Sequence, residues 1–163
     1  MATDSGTFVL ERPFYFIVVL WGERFRRYFL DLCLPTLLSP GNLPTLATAK
    51  RSKFLIFTYS EDFDAIKRAP IFALLEKYVD PVFVEIPPCP VGTSGCAHMG
   101  IGHRRGLETA YAAKAYPFVL TPDSIFSDGT IRRLQRLASG ANFRHSSRVI
   151  PSSRNARASC PAG

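Results

Sequence analysis

The sequence predicts an α/β domain of three layers, built on a mostly parallel but incomplete sheet and followed by a disordered tail. Three observations predict it. Short apolar runs rich in β-branched and aromatic residues recur at Phe14 to Leu20, Lys53 to Tyr59, Val82 to Ile86 and Phe118 to Leu120, the pattern of strands buried on both faces. Stretches with helical spacing separate them. Strand and helix alternate along the chain, which places helices on both faces of a parallel sheet.

The elements follow in order. Residues 1 to 13 are polar and read as a flexible N-terminus. The first strand, Phe14 to Leu20, leads into a helix in which Phe25, Tyr28, Phe29, Leu32 and Thr36 recur at helical spacing. Pro35 disturbs its last turn, and Ser39-Pro40-Gly41-Asn42 ends it. After the second strand, Ser60 is placed to cap a helix carrying Glu61 and Asp62 in its first turn. Pro70 breaks that helix, which restarts with Ile71, Leu74, Leu75 and Tyr78 inward. The third strand gives way to a Pro- and Gly-rich loop, Pro87 to Gly102, too long for a mere connector. A helix from about His103 to Ala115 follows, with Leu107, Ala110 and Tyr111 expected on its buried face. The fourth strand runs into Thr121-Pro122-Asp123. A last helix then turns Ile131, Leu134 and Leu137 inward and Arg132, Arg133 and Arg136 outward. The order β-α-β-α-β-loop-α-β-α makes residues 14 to 140 a Rossmann-like domain.

At 163 residues the chain is one domain, long enough for a real core. The apolar run Phe14 to Trp21 is too short to span a bilayer. It lacks a basic lead-in and a cleavage site, so the default expectation is a cytoplasmic protein. Cys33, Cys89, Cys96 and Cys160 read as reduced thiols. Cys89, Cys96, His98 and His103 invite zinc, but their spacing lacks the paired short knuckles of a structural site. Each histidine reads more simply as a satisfied structural side chain.

The formal charge of +7 is unevenly placed: residues 141 to 163 carry +4 and the rest only +3. No aromatic interleaving accompanies the tail arginines, so nucleic-acid binding is the weakest functional class. That tail is Ser-, Arg- and Pro-rich with few apolar clusters, and reads as a disordered basic segment. A βα domain would ordinarily go on adding strands. The chain therefore reads as cut short near residue 141, by truncation or a shifted frame, which translating the encoding DNA in other frames would check.

Candidate ligand groups lie at strand ends. A carboxylate just past the carboxyl end of a strand is how open α/β sheets present binding groups, and Asp123 occupies that place. Closing the turn after Pro122 is its plainer role. Trp21 and Gly22 follow the first strand, and Thr58 and Tyr59 end the second. Gly100 to Gly106, with Gly102, His103 and Arg104, resembles a glycine-rich phosphate loop at a helix start, though its spacing is not GxGxxG.

Three segments together resemble the nucleotide-sugar-binding, N-terminal half of GT-A-fold glycosyltransferases. FYFIVVLWGERF with YFLDLCLPTLLS looks like that family's first strand and helix. SKFLIFTYSEDF looks like its second strand and nucleotide-facing turn, and HRRGLETAYAAKAYPFVLTPDSIFSDGTIRRL like the helix, strand and acidic turn that hold a metal-diphosphate. The resemblance implies a nucleotide-sugar ligand at Trp21, Gly22, Thr58, Tyr59, Gly102, His103 and Arg104. It also implies Mg²⁺ or Mn²⁺ at Asp123. The family's usual Asp-X-Asp is here Thr121-Pro122-Asp123, which leaves one carboxylate for a hard cation, and Asp128 reads as a helix N-cap. The family's acceptor-binding half would follow the acidic turn, where this chain has little sequence, so no catalytic base is assigned. The competing expectation is a non-catalytic remnant or binding module of the same fold.

Overall fold

Phe14–Val19 forms β1, one of two interior strands, and every residue of it is buried. Strands β2 (Lys53–Thr58), β3 (Asp80–Glu85) and β4 (Tyr116–Leu120) complete one parallel sheet in the order β3-β2-β1-β4. The computed structural model describes residues 12 to 140. The expected flexible N-terminus, save its last two residues, and the expected disordered tail lie outside the described residues.

Alternation along β1 feeds two cores, because successive strand side chains point to opposite faces. Phe16, Val18 and Leu20 join Phe54 and Ile56 on one face. Tyr15, Ile17 and Val19 join Leu55 and Phe57 on the other. The first face is covered by the stretch α1 (Gly22–Tyr28), a π turn and α2 (Leu34–Leu37), and by α3 (Ser60–Lys67), α4 (Pro70–Leu75) and α6 (Thr130–Gly140); the π turn supplies Phe29, and α2, α3, α4 and α6 supply Leu34, Leu37, Ile66, Phe72, Leu75 and Ile131. Among the described residues the second face is covered by α5 (Gly95–Ala112) alone, so the layers they form are unequal. Each fully buried Phe, Leu or Ile contributes about 1.5–3 kcal/mol, and most of them sit in the first core.

The structure revises several details of the sequence reading. The expected single first helix widens between α1 and α2 into a π turn over Phe29–Cys33, where the Leu34 amide reaches back to the Phe29 carbonyl. Pro35 lacks the amide that a regular helix needs at that point, and a π bulge is one way to absorb the loss. The extra residue rotates the buried face: Phe29, Cys33, Leu34 and Leu37 turn inward, while Phe25 and Leu32 stay exposed. Ser60 is the first residue of α3, not its cap, and no side chain caps that end. Among the described residues β4 is an edge strand, with Pro117 and Val119 exposed, so its apolar run is not buried on both faces. Pro is tolerated on such an edge because it need not donate to a further strand. In α6, Leu137 points outward and Gln135 inward, where Gln135 bonds Ala47 and Thr45 across to the preceding layer.

The largest revision concerns α5. It starts eight residues before the expected His103, capped by Ser94, whose hydroxyl accepts from the Ala97 amide. The inward stripe is His98, Gly102, Gly106 and Ala110, one residue per turn, with Leu107 and Tyr111 left exposed. Glycine is what lets the helix approach the sheet. A Cβ at Gly106 would lie 2.5 Å from Cγ2 of Ile17, and one at Gly102 would lie 2.8 Å from Val19. Gly100 faces open space. Gly106→Ala should therefore destabilise by about 1 kcal/mol, since overpacking outweighs the gain in helix propensity. Gly100→Ala should stabilise by about 0.5–1 kcal/mol. Urea midpoints of the two variants check the pair; stabilisation by both would mean that α5 does not sit this close to β1.

Candidate functional site

The strand order creates a crevice. The chain builds outward from β1 to β2 to β3, then returns to the other side of β1 for β4. The connection leaving β1 covers the first face and α5, which leads into β4, covers the second, so the strand order reverses between β1 and β4, the place where open α/β sheets bind ligands. A groove of about 410 Å³ opens there. Its walls are Val19, Leu20, Trp21 and Phe25 after β1, Thr121, Pro122 and Asp123 after β4, and Ser94, Gly95, Cys96 and Met99 from the first turns of α5. A larger depression of about 620 Å³ lies on the outer face of α1. It is open surface, with Arg27 and Asp31 in loose contact along it.

Each wall brings different chemistry. Trp21 supplies an aromatic surface, held from behind by Tyr59, stacked at 5.9 Å, and by His98 edge-on at 5.1 Å. The start of α5 offers the amides of Gly95 and Cys96, which have no intrahelical acceptor and sit at the positive end of an 18-residue helix. Such amides favour an anion. Asp123 is exposed and lines the groove. The turn that carries it is closed by Ser124: its hydroxyl accepts from the Thr121 amide and bonds the Thr121 hydroxyl, and its amide donates to the Thr121 carbonyl. The Phe126 amide donates to Thr36. The Asp123 carboxylate is not what ties the turn together.

Beneath the groove lies a residue that carried no distinctive signal in the sequence. Asp62 is 2% exposed and accepts from the Gly22 amide at 2.9 Å, from the Thr58 hydroxyl at 3.2 Å and from the Arg26 guanidinium. It joins the ends of β1 and β2 and fixes Gly22 at φ +78°, a left-handed conformation suited to glycine. An Asp in the first turn of a helix is so common that nothing set this one apart.

The expected site residues thus divide. Trp21 and Asp123 line the same groove. Gly22 and Thr58 are engaged with Asp62. The Tyr59 hydroxyl accepts from the Cys89 amide while its ring supports Trp21. Gly102, His103 and Arg104 lie in the middle of α5 rather than at its start, so the Gly100 to Gly106 segment is helix interior and not a phosphate loop. Arg104 is exposed and loosely paired with Glu108 one turn on. Burial pushes the pKa of His103 below its usual range, against the opposing pull of the Leu120 carbonyl. His98, expected to be a satisfied side chain, is 2% exposed with neither ring nitrogen hydrogen-bonded. Among the described residues no three His, Cys, Asp or Glu side chains converge as a metal site. Cys33 lies buried near Asp123; burial first, and that carboxylate second, push its thiol up to about 12, so it is inert.

Asp128 does not cap α6. Its carboxylate accepts from the Gly41 amide at 2.5 Å, clasping the loop after α2 to the start of α6. That amide, then the Ser39 side chain, hold its pKa below the ordinary 3.8. A depressed carboxylate adds stability that is present above about pH 4 and lost as pH falls through the lowered value. The melting-temperature difference between wild type and Asp128→Asn should therefore be largest near neutrality and vanish in acid; a difference constant with pH would contradict the clasp.

No described helix is long and apolar enough to cross a membrane. Comparison of the chain with protein-family models, with curated proteins and with solved structures returned no match.

Proposed function

We propose that residues 14 to 140 bind a nucleotide-sugar in the groove between β1 and β4, as the donor-binding half of a GT-A glycosyltransferase-like protein. The observation that carries this is the convergence of an aromatic wall, a helix start and an unengaged carboxylate at the reversal of strand order. Trp21 offers its ring to the base, and the Gly95 and Cys96 amides offer hydrogen bonds to the diphosphate. Asp123 stands where a divalent cation on that diphosphate would need a protein ligand.

A resident Mg²⁺ or Mn²⁺ does not fit these residues. Such ions take about six oxygen ligands, and among the described residues the groove offers one carboxylate. The geometry suits a cation that arrives with the diphosphate, as part of the ligand. The three free thiols among the described residues accord with a reducing, cytoplasmic setting.

A second reading, a binding module without catalysis, is favoured by one observation: among the described residues Asp123 is the single Asp, Glu or His on the groove wall, so none of them supplies a separate general base beside it. Isothermal calorimetry with UDP- and GDP-sugars, with and without Mn²⁺, tests nucleotide binding. Micromolar, metal-linked binding is expected. Heats indistinguishable from dilution across the panel would remove the nucleotide reading, and binding without turnover of any donor would select the second.

A further inference from the structure

Away from the groove, charge is the feature that the fold leaves unexplained. All 13 acidic residues lie at or before Asp128, and seven of the 20 basic residues lie after it. Residues 1 to 128 therefore balance to zero, and the whole net charge of +7 belongs to residues 129 to 163. Three of those seven arginines are on α6, where Arg132, Arg133 and Arg136 are exposed.

The helix presents them in a fixed direction. Ile131 is fully buried, and Gln135 is locked to Thr45 and Ala47, so α6 cannot roll about its axis. The outward face carries the three arginines with Leu137, which is 58% exposed. Gly129, Arg132, Arg133, Arg136 and Leu137 surround a shallow concavity of about 420 Å³. Asp128 lies beside Arg132 and is already engaged by the Gly41 amide.

We propose that the outward face of α6 docks this chain onto an anionic lipid surface. Arginines around a headgroup-sized hollow match anionic phosphate groups, and an exposed leucine among them suits the apolar layer just beneath. A nucleic acid fits less well. The face has no aromatic side chain on which a base could stack, and an exposed leucine gains nothing against a phosphate backbone. The sequence after α6 adds Arg144, Arg148, Arg154 and Arg157 without an acid, which strengthens attraction to the same surface. The docking is independent of the nucleotide groove, which lies at the β1 and β4 strand ends.

Co-sedimentation of the full chain with vesicles tests it, using phosphatidylcholine alone and phosphatidylcholine mixed with phosphatidylserine, at low and high salt. Binding to the mixed vesicles alone, weakened by salt, is expected. Each arginine near such a surface is worth about five-fold in partitioning. The variant R132Q/R133Q/R136Q should then lose about 100-fold with an unchanged melting temperature. Leu137→Gln should weaken binding while leaving its salt dependence intact; if the triple variant fails to fold, this single variant decides. Equal binding to neutral and anionic vesicles, no binding to either, or full binding by a folded triple variant would each overturn the proposal. So would tighter binding to single- or double-stranded DNA than to the mixed vesicles at the same salt.

Discussion

Asp62→Ala should lower the folding free energy by about 3 kcal/mol, with a fall of about 10 °C in melting temperature. The carboxylate is 2% exposed and serves three donors: the Gly22 amide, the Thr58 hydroxyl and Arg26. Alanine leaves the first two without an acceptor, at about 1–3 kcal/mol for each group that stays buried. Arg26 differs, because its side chain is 24% exposed and can turn to water. Its charge is then not stranded, and the loss stays below the upper end for a broken buried pair. Asp62→Asn keeps one oxygen for Gly22 and should retain about half the stability lost in the alanine variant. Thermal melts of both variants check this order. A shift of less than about 2 °C for Asp62→Ala would mean that the network does not hold the strand ends. The same change should loosen Trp21, whose following residue Gly22 is the one Asp62 fixes, and so should weaken any ligand of the groove.

Much of the architecture was legible because it rests on burial. Strands β1 and β2 are continuous apolar runs, and such runs report a strand covered on both faces whatever the details of the turns. The β-α alternation then left few arrangements, and the parallel sheet followed. Failures came where one local signal admits two meanings. Glycines at Gly100 and Gly102 looked like loop residues because glycine weakens helices, and the run to Gly106 looked like a phosphate loop at a helix start; here Gly102 and Gly106 are the price of bringing α5 against Ile17 and Val19. Leucine and tyrosine at Leu107 and Tyr111 looked like the buried face for the same reason, since the small residues that actually face the sheet carry no hydrophobic signal. Strand β4 has the composition of an interior strand and the position of an edge, and composition does not report what lies beyond it. The candidate site was half legible. Strand ends named Trp21 and Asp123, but the start of α5 was hidden in what looked like loop, and Asp62 looked like any acidic residue in a first turn.

Asp123→Asn should separate the two roles that an Asp in this turn can have. The change preserves shape and hydrogen-bonding capacity and removes the negative charge. If Asp123 only shapes the turn, neither stability nor ligand binding should change much, because asparagine makes the same turn. The structure assigns the turn's hydrogen bonds to Ser124 instead, so melting should move by less than about 0.5 kcal/mol equivalent, as for an ordinary surface substitution. Ser124→Ala is the positive control: it removes both side-chain bonds to Thr121 and should cost about 1 kcal/mol. For the proposed nucleotide-sugar the order reverses. A carboxylate bound to a cation or to ligand hydroxyls contributes more than a neutral amide by about 1.5–3 kcal/mol, which is roughly 10- to 100-fold in affinity. Asp123→Asn should therefore lose that factor in Mn²⁺-linked binding, and calorimetry without Mn²⁺ should show a smaller difference between wild type and variant. Ser124→Ala should bind with little change wherever it remains folded. Should Asp123→Asn bind as tightly as wild type in Mn²⁺, the carboxylate has no part in holding the ligand, and the groove would have to work through Trp21 and the α5 amides alone.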